Sequence, residues 1–314
     1  MNKIFFANLE RGRLLFKRFR TLRCINARND SAIYLCADCY RKGLPVALKI
    51  ISVQGLKDTI IAERFRNEME VTYRIKHPNV LKCDTFFEDE TFLAFAMDYI
   101  RGGTVADLLA RSEKLSILQS MEILRQLCHG LQAVHDAGIL HRDIKPENIL
   151  LRRKDGRILI ADFGIAVLGQ TAISKEHEGL YGTINYLCPE YIERGWFDKR
   201  SDIYSLGLMA YEMITGQLPY TSGSPLEKMT ERVKSDPASP ISIDPKCPAQ
   251  LSAIIMKALS RDPEARFQSA NELRLALKGL GASKKRVLKV KHDQKHTLND
   301  DARALEPTVA GLVC

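Results

Sequence analysis

Short apolar segments separated by turn residues run through residues 19–99, a pattern that predicts β-strands. Two of these segments flank Lys42–Gly43, so we expect them to pair as a hairpin around that turn. One helix interrupts the strands near Ile61–Ile75, where Phe65 and Met69 are spaced for one helical face. The predicted strands are Ile33–Leu35, Val46–Ile50 and Leu93–Met97.

After Gly102 the spacing of apolar residues changes to three and four, which indicates helices. The longest of these helices should end at Gly138, because glycine readily adopts the backbone conformation that closes a helix. A small β-ribbon is expected among the helices, since the Asp155–Gly156 turn follows the apolar run Ile149–Leu151. The predicted helices are Val105–Arg111, Leu115–Ala137 and Ala270–Leu280. This pattern predicts an α+β fold, β-rich at first and mostly α-helical afterwards.

The two ends of the chain differ from the part between them. Residues 1–18 are predicted to be a basic N-terminal extension, and residues 281–314 a basic flexible tail, because the tail is polar and lacks sustained periodicity. The apolar residues of the extension are compatible with a short amphipathic helix, which we expect to pack on the protein surface in preference to a membrane. These apolar residues are Leu9, Leu14, Leu15 and Phe16.

The formal net charge of +9 is confined to these ends. Residues 1–23 carry +6 and residues 284–296 carry +5, whereas residues 297–314 carry −2, which leaves residues 24–283 neutral. A nucleic-acid-binding core is therefore not indicated. The basic ends are compatible with an acidic partner or an anionic surface.

The eight cysteines show no repeated spacing. Cys36 and Cys39 form a lone Cys-x-x-Cys pair without the second pair that a zinc site needs, so reduced thiols in a cytosolic protein are the favoured interpretation. No apolar run is long enough for a signal peptide or a transmembrane helix. We therefore expect a cytoplasmic protein.

The candidate chemistry lies in two loops, at residues 141–148 and 162–164. A divalent metal bound to nucleotide phosphates needs oxygen ligands, which Asn148 and Asp162 can supply. Asp143 can accept the proton of a substrate hydroxyl, and Lys145 can neutralise charge on the transferred group.

At these loops, and in the segments Gly182–Glu190 and Ser201–Gly207, the sequence closely resembles the protein kinases. The resemblance spans about residues 19–280, and Lys145 is typical of serine/threonine-directed members such as the Hanks-type kinases of bacteria. It implies a two-lobed kinase fold, with an N-lobe at 19–98 and a C-lobe at 99–280. It also implies transfer of the ATP γ-phosphoryl group, with Mg²⁺ or Mn²⁺, to Ser/Thr hydroxyls of protein substrates, including the kinase itself.

The resemblance assigns roles residue by residue. It implies catalytic roles for Asp143, Lys145 and Asn148, and metal binding by Asn148 and Asp162. The residues that it places around the nucleotide are Lys49, Glu68, Asn26, Arg28, Ser31, Ile33, Ala47, Met97, Asp98, Tyr99 and Ile100. Those that it places in the activation segment are Thr171, Ser174 and Thr183. Those to which it gives supporting roles are His141, Arg142, Phe163, Glu190, Asp202 and Arg266.

The chain departs from the family at the loop over the phosphates. The family has three glycines there, whereas this sequence has Asn26, Arg28 and Ser31. Glycine lets the backbone approach phosphate closely because it has no Cβ, so ATP should be held less tightly unless Arg28 compensates by direct charge. A pseudokinase or scaffold that binds nucleotide weakly is therefore an alternative. A small-molecule phosphotransferase is a third interpretation, which the complete Gly182–Glu190 segment disfavours.

Overall fold

The computed structural model describes residues 9–27, 31–52, 59–89, 92–163, 167–168, 184–221 and 223–280. The chain divides into two compact units. The described residues of the first unit fall within 1–73 and 81–99, and those of the second within 74–80 and 100–289. The predicted tail at 281–314 lies outside the described residues.

The first unit is built on a six-stranded antiparallel sheet. Its strands are β1 Leu14–Leu15, β2 Phe19–Ala27, β3 Ser31–Asp38, β4 Leu44–Ser52, β5 Cys83–Glu88 and β6 Phe92–Asp98. They lie in the order β1-β2-β3-β4-β6-β5. The one α-helix among the described residues of this unit, α1, covers Thr59–Arg74 and connects β4 to the last two strands.

The hairpin predicted around Lys42–Gly43 is confirmed. Strands β3 and β4 pair antiparallel, with Leu35 opposite Ala47. Lys42 and Gly43 adopt positive φ angles of 52° and 74°, the left-handed conformation that lets the chain reverse between two twisted strands.

The predicted amphipathic helix near the N-terminus is wrong. Leu14–Leu15 forms β1, which pairs with β2, so the predicted boundary after residue 18 falls inside a β-hairpin. Phe16 and Lys17 have positive φ angles of 49° and 53°, which turn the chain back and exclude a right-handed helix. Leu15 is only 4% exposed, and its burial in the core of the sheet favours the strand.

The core of the first unit explains the position of α1. Phe65 of this helix is buried, and its ring lies 4.9 Å from the ring of Phe95 on β6. Met69, one turn further along, packs against the same cluster of buried residues. The face predicted from the spacing of these two residues is therefore the face that meets the sheet.

The second unit is mostly helical. Its helices are α2 Val105–Ser112, α3 Ile117–Asp136, α4 Pro189–Arg194, α5 Lys199–Thr215, α6 Pro225–Lys234, α7 Pro240–Ile243, α8 Ala249–Ala258 and α9 Ala270–Gly279. Its short strands are β7 Ile139–Leu140, β8 Ile149–Arg152, β9 Arg157–Ile160 and β10 Val167–Leu168, which pair as β7–β10 and β8–β9. The ribbon predicted around Asp155–Gly156 is the β8–β9 hairpin.

Helix α5 is the centre of the second unit. Thirteen of its 17 residues are buried, and it packs against α3 and α8. Gly207 permits a close approach to α8, because a Cβ at this position would lie 3.1 Å from the Cβ of Ala258. Helix α3 ends as predicted, with Gly138 at a φ of 74° just beyond it.

The expectation of reduced thiols holds for six of the described cysteines and is wrong for Cys39, which is disulfide-bonded. The six free cysteines are Cys24, Cys36, Cys83, Cys128, Cys188 and Cys247. Among the described helices, none combines the length and the apolar character needed to span a bilayer. The predicted cytoplasmic location stays a prediction.

Candidate active site

Lys49 and Glu68 form a buried ion pair in the first unit. Nζ of Lys49 lies 2.7 and 2.6 Å from the two carboxylate oxygens of Glu68, and both side chains are largely shielded from solvent. Lys49 stands in the central strand β4, opposite Phe95 of β6, and its ammonium lies 5.8 Å from the centre of that ring. Because the packing of α1 against Phe95 also fixes Glu68, the same core positions both partners.

Outside the loop over the phosphates, the other predicted nucleotide residues of the first unit lie on β3, β4 and β6 or directly after β6. Ile33 lies opposite Lys49 on β3, and Ala47 lies opposite Met97 on β6. Met97 is half-buried against the core cluster that contains Phe95. After Asp98, which ends β6 with an exposed side chain, Tyr99 packs on the buried cluster of Leu22, Leu35 and Ala37. Ile100, the next residue, belongs to the second unit and is half-buried.

Two of the three residues at the expected glycine positions lie in strands β2 and β3, close to the connection between them. Asn26 is exposed and stands opposite Ile33, one register position before the end of the pairing. Ser31 begins β3 and is half-buried. Arg28 lies outside the described residues. Asn26 directly follows an irregularity in the β2–β3 register, between Cys24 and Asn26, and Ser31 pairs with Ile51 of β4.

In the second unit, the β8–β9 hairpin brings the two predicted metal ligands together. Ile149 pairs with Ile160, and the amide of Ala161 donates to the carbonyl oxygen of Asn148 at 2.9 Å. Asn148 and Ala161 thus extend the ladder by one position, and Asp162 follows directly. An amide oxygen and a carboxylate are hence presented at the same end of the ribbon.

Two neighbouring side chains fix the Asp143 carboxylate. Nζ of Lys145 donates to both of its oxygens, at 2.8 and 2.7 Å. Nδ2 of Asn148 donates to Oδ2 of Asp143 at 2.8 Å and to its backbone oxygen at the same distance. Asp143 is 9% exposed, so these bonds hold a nearly buried carboxylate in one orientation.

Asp202, at the start of α5, anchors the backbone just before Asp143. Its oxygens accept the amides of His141 and Arg142, at 3.0 and 2.8 Å, and Nε2 of His135 at 2.8 Å. Burial by itself would raise the pKa of Asp202, but the hydrogen bond and charge of His135, with smaller contributions from His141, lower it overall. A fully buried carboxylate is therefore kept ionised as a structural acceptor.

His141 connects the two loops. Its Nε2 lies 3.2 Å from the carbonyl oxygen of Ala161, its Nδ1 accepts the amide of Asp143 at 3.3 Å, and its ring lies 4.7 Å from that of buried Phe163. Burial lowers the pKa of His141, although Asp202, Asp143 and Asp162 partly oppose this. The neutral imidazole thus donates with one nitrogen and accepts with the other.

Two site residues have a backbone conformation that is uncommon for residues other than glycine. Arg142 has a φ of 66° and Asp162 a φ of 63°. Such conformations cost free energy and occur where the surrounding structure dictates them, often at functional sites. At Arg142 that surrounding structure includes Asp202, which binds its amide.

The Glu190–Arg266 pair is buried and bidentate. Nη1 and Nη2 of Arg266 each lie 2.7 Å from a different oxygen of Glu190, and Oγ of Ser201 donates to Oε1 of Glu190 at 2.6 Å. Burial acts to raise the pKa of Glu190, but the hydrogen bonds and charge of Arg266 outweigh it and lower that pKa. This pair fixes α4, which begins immediately after Cys188, to the 3₁₀ turn Pro263–Ala265.

The activation-segment residues Thr171, Ser174 and Thr183 lie outside the described residues. Sequence reasoning missed two residues whose side chains are buried. For His135 the available signal was a histidine one turn after Leu131 on the apolar face of the predicted helix. For Arg232, which binds backbone oxygens of residues 184–187, no sequence signal was available.

A family model of the protein kinase domain matches residues 30–275, which is most of the chain. The chain belongs to the protein kinase family. The predicted α+β, two-lobed kinase fold is thereby confirmed, with the six-stranded sheet in the small, β-rich lobe and α2–α9 in the larger one.

The chain is similar in sequence to serine/threonine kinases of bacteria. The chain is 33% identical over 241 residues to a probable serine/threonine-protein kinase of Streptomyces coelicolor, covering 75% of this chain and 36% of that protein. It is 30% identical over 268 residues to the serine/threonine-protein kinase PrkC of Bacillus subtilis, covering 85% and 41%. For the serine/threonine-protein kinase PknB of Mycobacterium leprae, the identity is 32% over 253 residues, covering 79% and 40%. The chain thus spans about two-fifths of the length of these relatives.

Proposed function

We propose that this chain is a serine/threonine protein kinase that transfers the γ-phosphoryl group of ATP to hydroxyls of protein substrates and of itself. The observation that carries the proposal is the Asp143 carboxylate, which Lys145 and Asn148 hold in one orientation. A single, nearly buried carboxylate with fixed geometry is suited to accept the proton of an attacking hydroxyl.

Lys145 has two functions in this proposal. Its ammonium donates to both oxygens of Asp143 and so orients that carboxylate. We assign its positive charge, in addition, to the transferred phosphoryl group, whose negative charge it neutralises.

The donor set fits Mg²⁺ or Mn²⁺. Because Nδ2 of Asn148 is committed to Asp143, the amide is oriented and Oδ1 is the atom that Asn148 offers as a ligand. Asp162 adds a carboxylate, and hard divalent cations prefer such oxygen ligands. When bound, the metal ion neutralises phosphate charge, and Asn148 and Asp162 hold it.

Lys49 is assigned to the α- and β-phosphates of ATP, and Glu68 to positioning it. The two contacts with Glu68, at 2.7 and 2.6 Å, fix the position of the Lys49 ammonium and therefore of its positive charge. Ile33, Ala47 and Met97 line the same strands and are assigned to the nucleotide base, together with the backbone of residues 98–100.

We also propose that ATP is bound weakly at the phosphate loop. Asn26 lies in β2 and Ser31 in β3, close to the connection between these strands, where their Cβ atoms hinder a close backbone approach to phosphate. We propose that Arg28 compensates for this weaker contact by its direct charge.

We propose that Thr171 or Ser174 is the site of activating phosphorylation. Thr183 is proposed to be a structural contact near the substrate.

The proposed lobes are residues 19–98 and 99–280, with residues 9–18 added to the first because β1 pairs with β2. The basic ends are proposed to contact an acidic partner or surface.

The pseudokinase alternative is not supported, because Lys49, Asp143 and Asp162 are all present and the named relatives are kinases.

The test is incubation of the purified chain with Mg²⁺ and ATP, followed by measurement of intact mass and of transfer to a generic protein acceptor. The wild-type chain should gain phosphate, and Asp143→Asn should lower the rate by about 10²–10⁴-fold. The matched control is Asp136→Asn, which changes an exposed carboxylate at the end of α3 and should keep full activity. Phosphate transfer by Asp143→Asn at the wild-type rate would remove Asp143 from the base role.

A further inference from the structure

A buried arginine of α6 holds the backbone that follows the activation segment. Arg232 is 2% exposed. Its Nη1 donates to the carbonyl oxygens of Ile184 and Leu187, both at 2.9 Å, and its Nη2 donates to that of Asn185 at 3.0 Å. One guanidinium group therefore binds three carbonyls within four consecutive residues.

The fourth carbonyl of this stretch has a side-chain donor as well. Oγ of Ser205, on α5, donates to the carbonyl oxygen of Tyr186 at 2.8 Å. Residues 184–186 form only a short 3₁₀ turn, and the backbone hydrogen bond that closes it, from the amide of Leu187 to the carbonyl oxygen of Ile184, is long at 3.4 Å. Side chains of two longer helices, α5 and α6, fix it instead.

The electrostatics of Arg232 indicate that its contribution is geometric. Among the described residues, no carboxylate forms an ion pair with it, and its Nε atom is buried without an acceptor. Its guanidinium lies 5.5 Å from the ring centre of Tyr220, and burial lowers its pKa despite the opposing effects of Tyr204, Tyr220 and Cys188. An apolar side chain would fill this space without the free-energy cost of burying a charge. What the guanidinium adds is its hydrogen bonds, which fix the positions of the three carbonyls and which an apolar side chain cannot form.

We propose that Arg232 is a positioning residue for the protein substrate, which sets the backbone of residues 184–187 and thereby the affinity for the acceptor chain. The inference rests on the proposed kinase function, because these residues lie within Gly182–Glu190, the segment that docks protein substrates in the protein kinase family. Among the described residues, Arg232 contacts none of those assigned to ATP, so its effect should be confined to the acceptor.

The experiment separates acceptor binding from ATP chemistry. Phosphorylation of myelin basic protein and hydrolysis of ATP without an acceptor are measured for wild type, Arg232→Met, Arg232→Lys and Arg261→Met. Arg261 is the matched control, since it also donates to two backbone carbonyls but its side chain is 43% exposed.

We expect Arg232→Met to raise KM for myelin basic protein on the order of tenfold, while KM for ATP and the rate of ATP hydrolysis change less than about twofold. Arg232→Lys should have an intermediate effect, because the single side-chain nitrogen of lysine cannot reach all three carbonyls. If Arg232→Met does not fold, Arg232→Lys is compared with wild type in its place. An unchanged KM for myelin basic protein would overturn the inference. So would a parallel fall of both activities that follows the folded fraction, because that result describes a purely structural residue.

Hydrogen exchange distinguishes failure of the inference from failure of the proposed function. If the wild-type chain transfers no phosphate and hydrolyses no ATP, the kinase proposal fails, and amide exchange of residues 184–188 then decides the role of Arg232. Faster exchange there in Arg232→Met, with no change in Arg261→Met, supports positioning. Unchanged exchange refutes it.

Discussion

Replacing Arg266 with methionine should destabilise the protein strongly, because it leaves a buried carboxylate without its cation. The change removes both 2.7 Å contacts with Glu190 and leaves Ser201 as the side-chain donor to a residue that is 6% exposed. Charge-assisted hydrogen bonds contribute about 1.5–3 kcal/mol each, and this change removes two of them. Removing one partner of a buried ion pair typically costs ~3–5 kcal/mol. Both estimates indicate a loss of ~3–5 kcal/mol for Arg266→Met. The lost bonds of Arg266 to the carbonyls of Arg200, Ser260 and Arg261 place the value in the upper part of that range.

The assay is urea unfolding of wild type, Arg266→Met, Glu190→Gln and the double variant. The double variant should be less destabilised than the sum of the single changes, since it contains no unpaired buried charge. The control is Arg125→Met, which breaks an exposed 3.1 Å pair with Glu122 on α3 and should cost less than about 1 kcal/mol. A loss below about 1 kcal/mol in Arg266→Met, similar to that of the control, would refute the reasoning.

The pH dependence provides an independent check with a defined sign. Arg266 lowers the pKa of Glu190 in the folded protein, so this carboxylate stabilises the fold fully above the ordinary glutamate pKa. That stability is lost as pH falls through the lowered folded pKa. In Arg266→Met, burial is no longer balanced by the cation, and the pKa of Glu190 should rise. The difference in unfolding free energy between wild type and variant should therefore be larger at pH 8 than at pH 5.

Three further predictions concern the first unit and the activation segment. Lys49→Met should abolish phosphate transfer without unfolding the protein, as measured by kinase activity and circular dichroism, whereas near-normal activity would contradict the role of Lys49. Removing residues 1–18 should lower the free energy of unfolding by at least about 2 kcal/mol, because the deletion takes away buried Leu15 and both contacts of Arg18 with the buried Asp38 carboxylate; an unchanged urea midpoint would show that β1 is dispensable. Phosphopeptide mapping after autophosphorylation should find modification at Thr171 or Ser174, and an unmodified segment between residues 164 and 182 would exclude this switch.

Local patterns were sufficient for much of the fold. The β3–β4 hairpin, the β8–β9 ribbon and helices α1, α2, α3 and α9 follow from apolar spacing together with turn and capping residues, all of which act within a few positions along the chain. The candidate chemistry was also predictable, because Asp143, Asn148 and Asp162 lie in two loops on either side of one hairpin. A short hairpin places the two loops that flank it side by side, independently of the rest of the fold.

Strand β1 was beyond the reach of these patterns. The three apolar residues Leu14–Phe16 suit one turn of a helix or a short strand equally well, and only the burial of Leu15 in the core of the sheet decides between them. The positive φ angles of Phe16 and Lys17 are imposed by that pairing, since neither residue type favours them.

The supporting contacts were decided by tertiary structure. The amides of His141 and Arg142 are 61 and 60 positions from Asp202, and Arg232 is more than 40 positions from the carbonyls that it binds. In the sequence, Arg232 is one basic residue in the last turn of a charged helix and has no mark that sets it apart. Only the packing of α6 against residues 184–187 removes water from its guanidinium and makes backbone oxygens its partners, because burial and partner choice are properties of the folded chain.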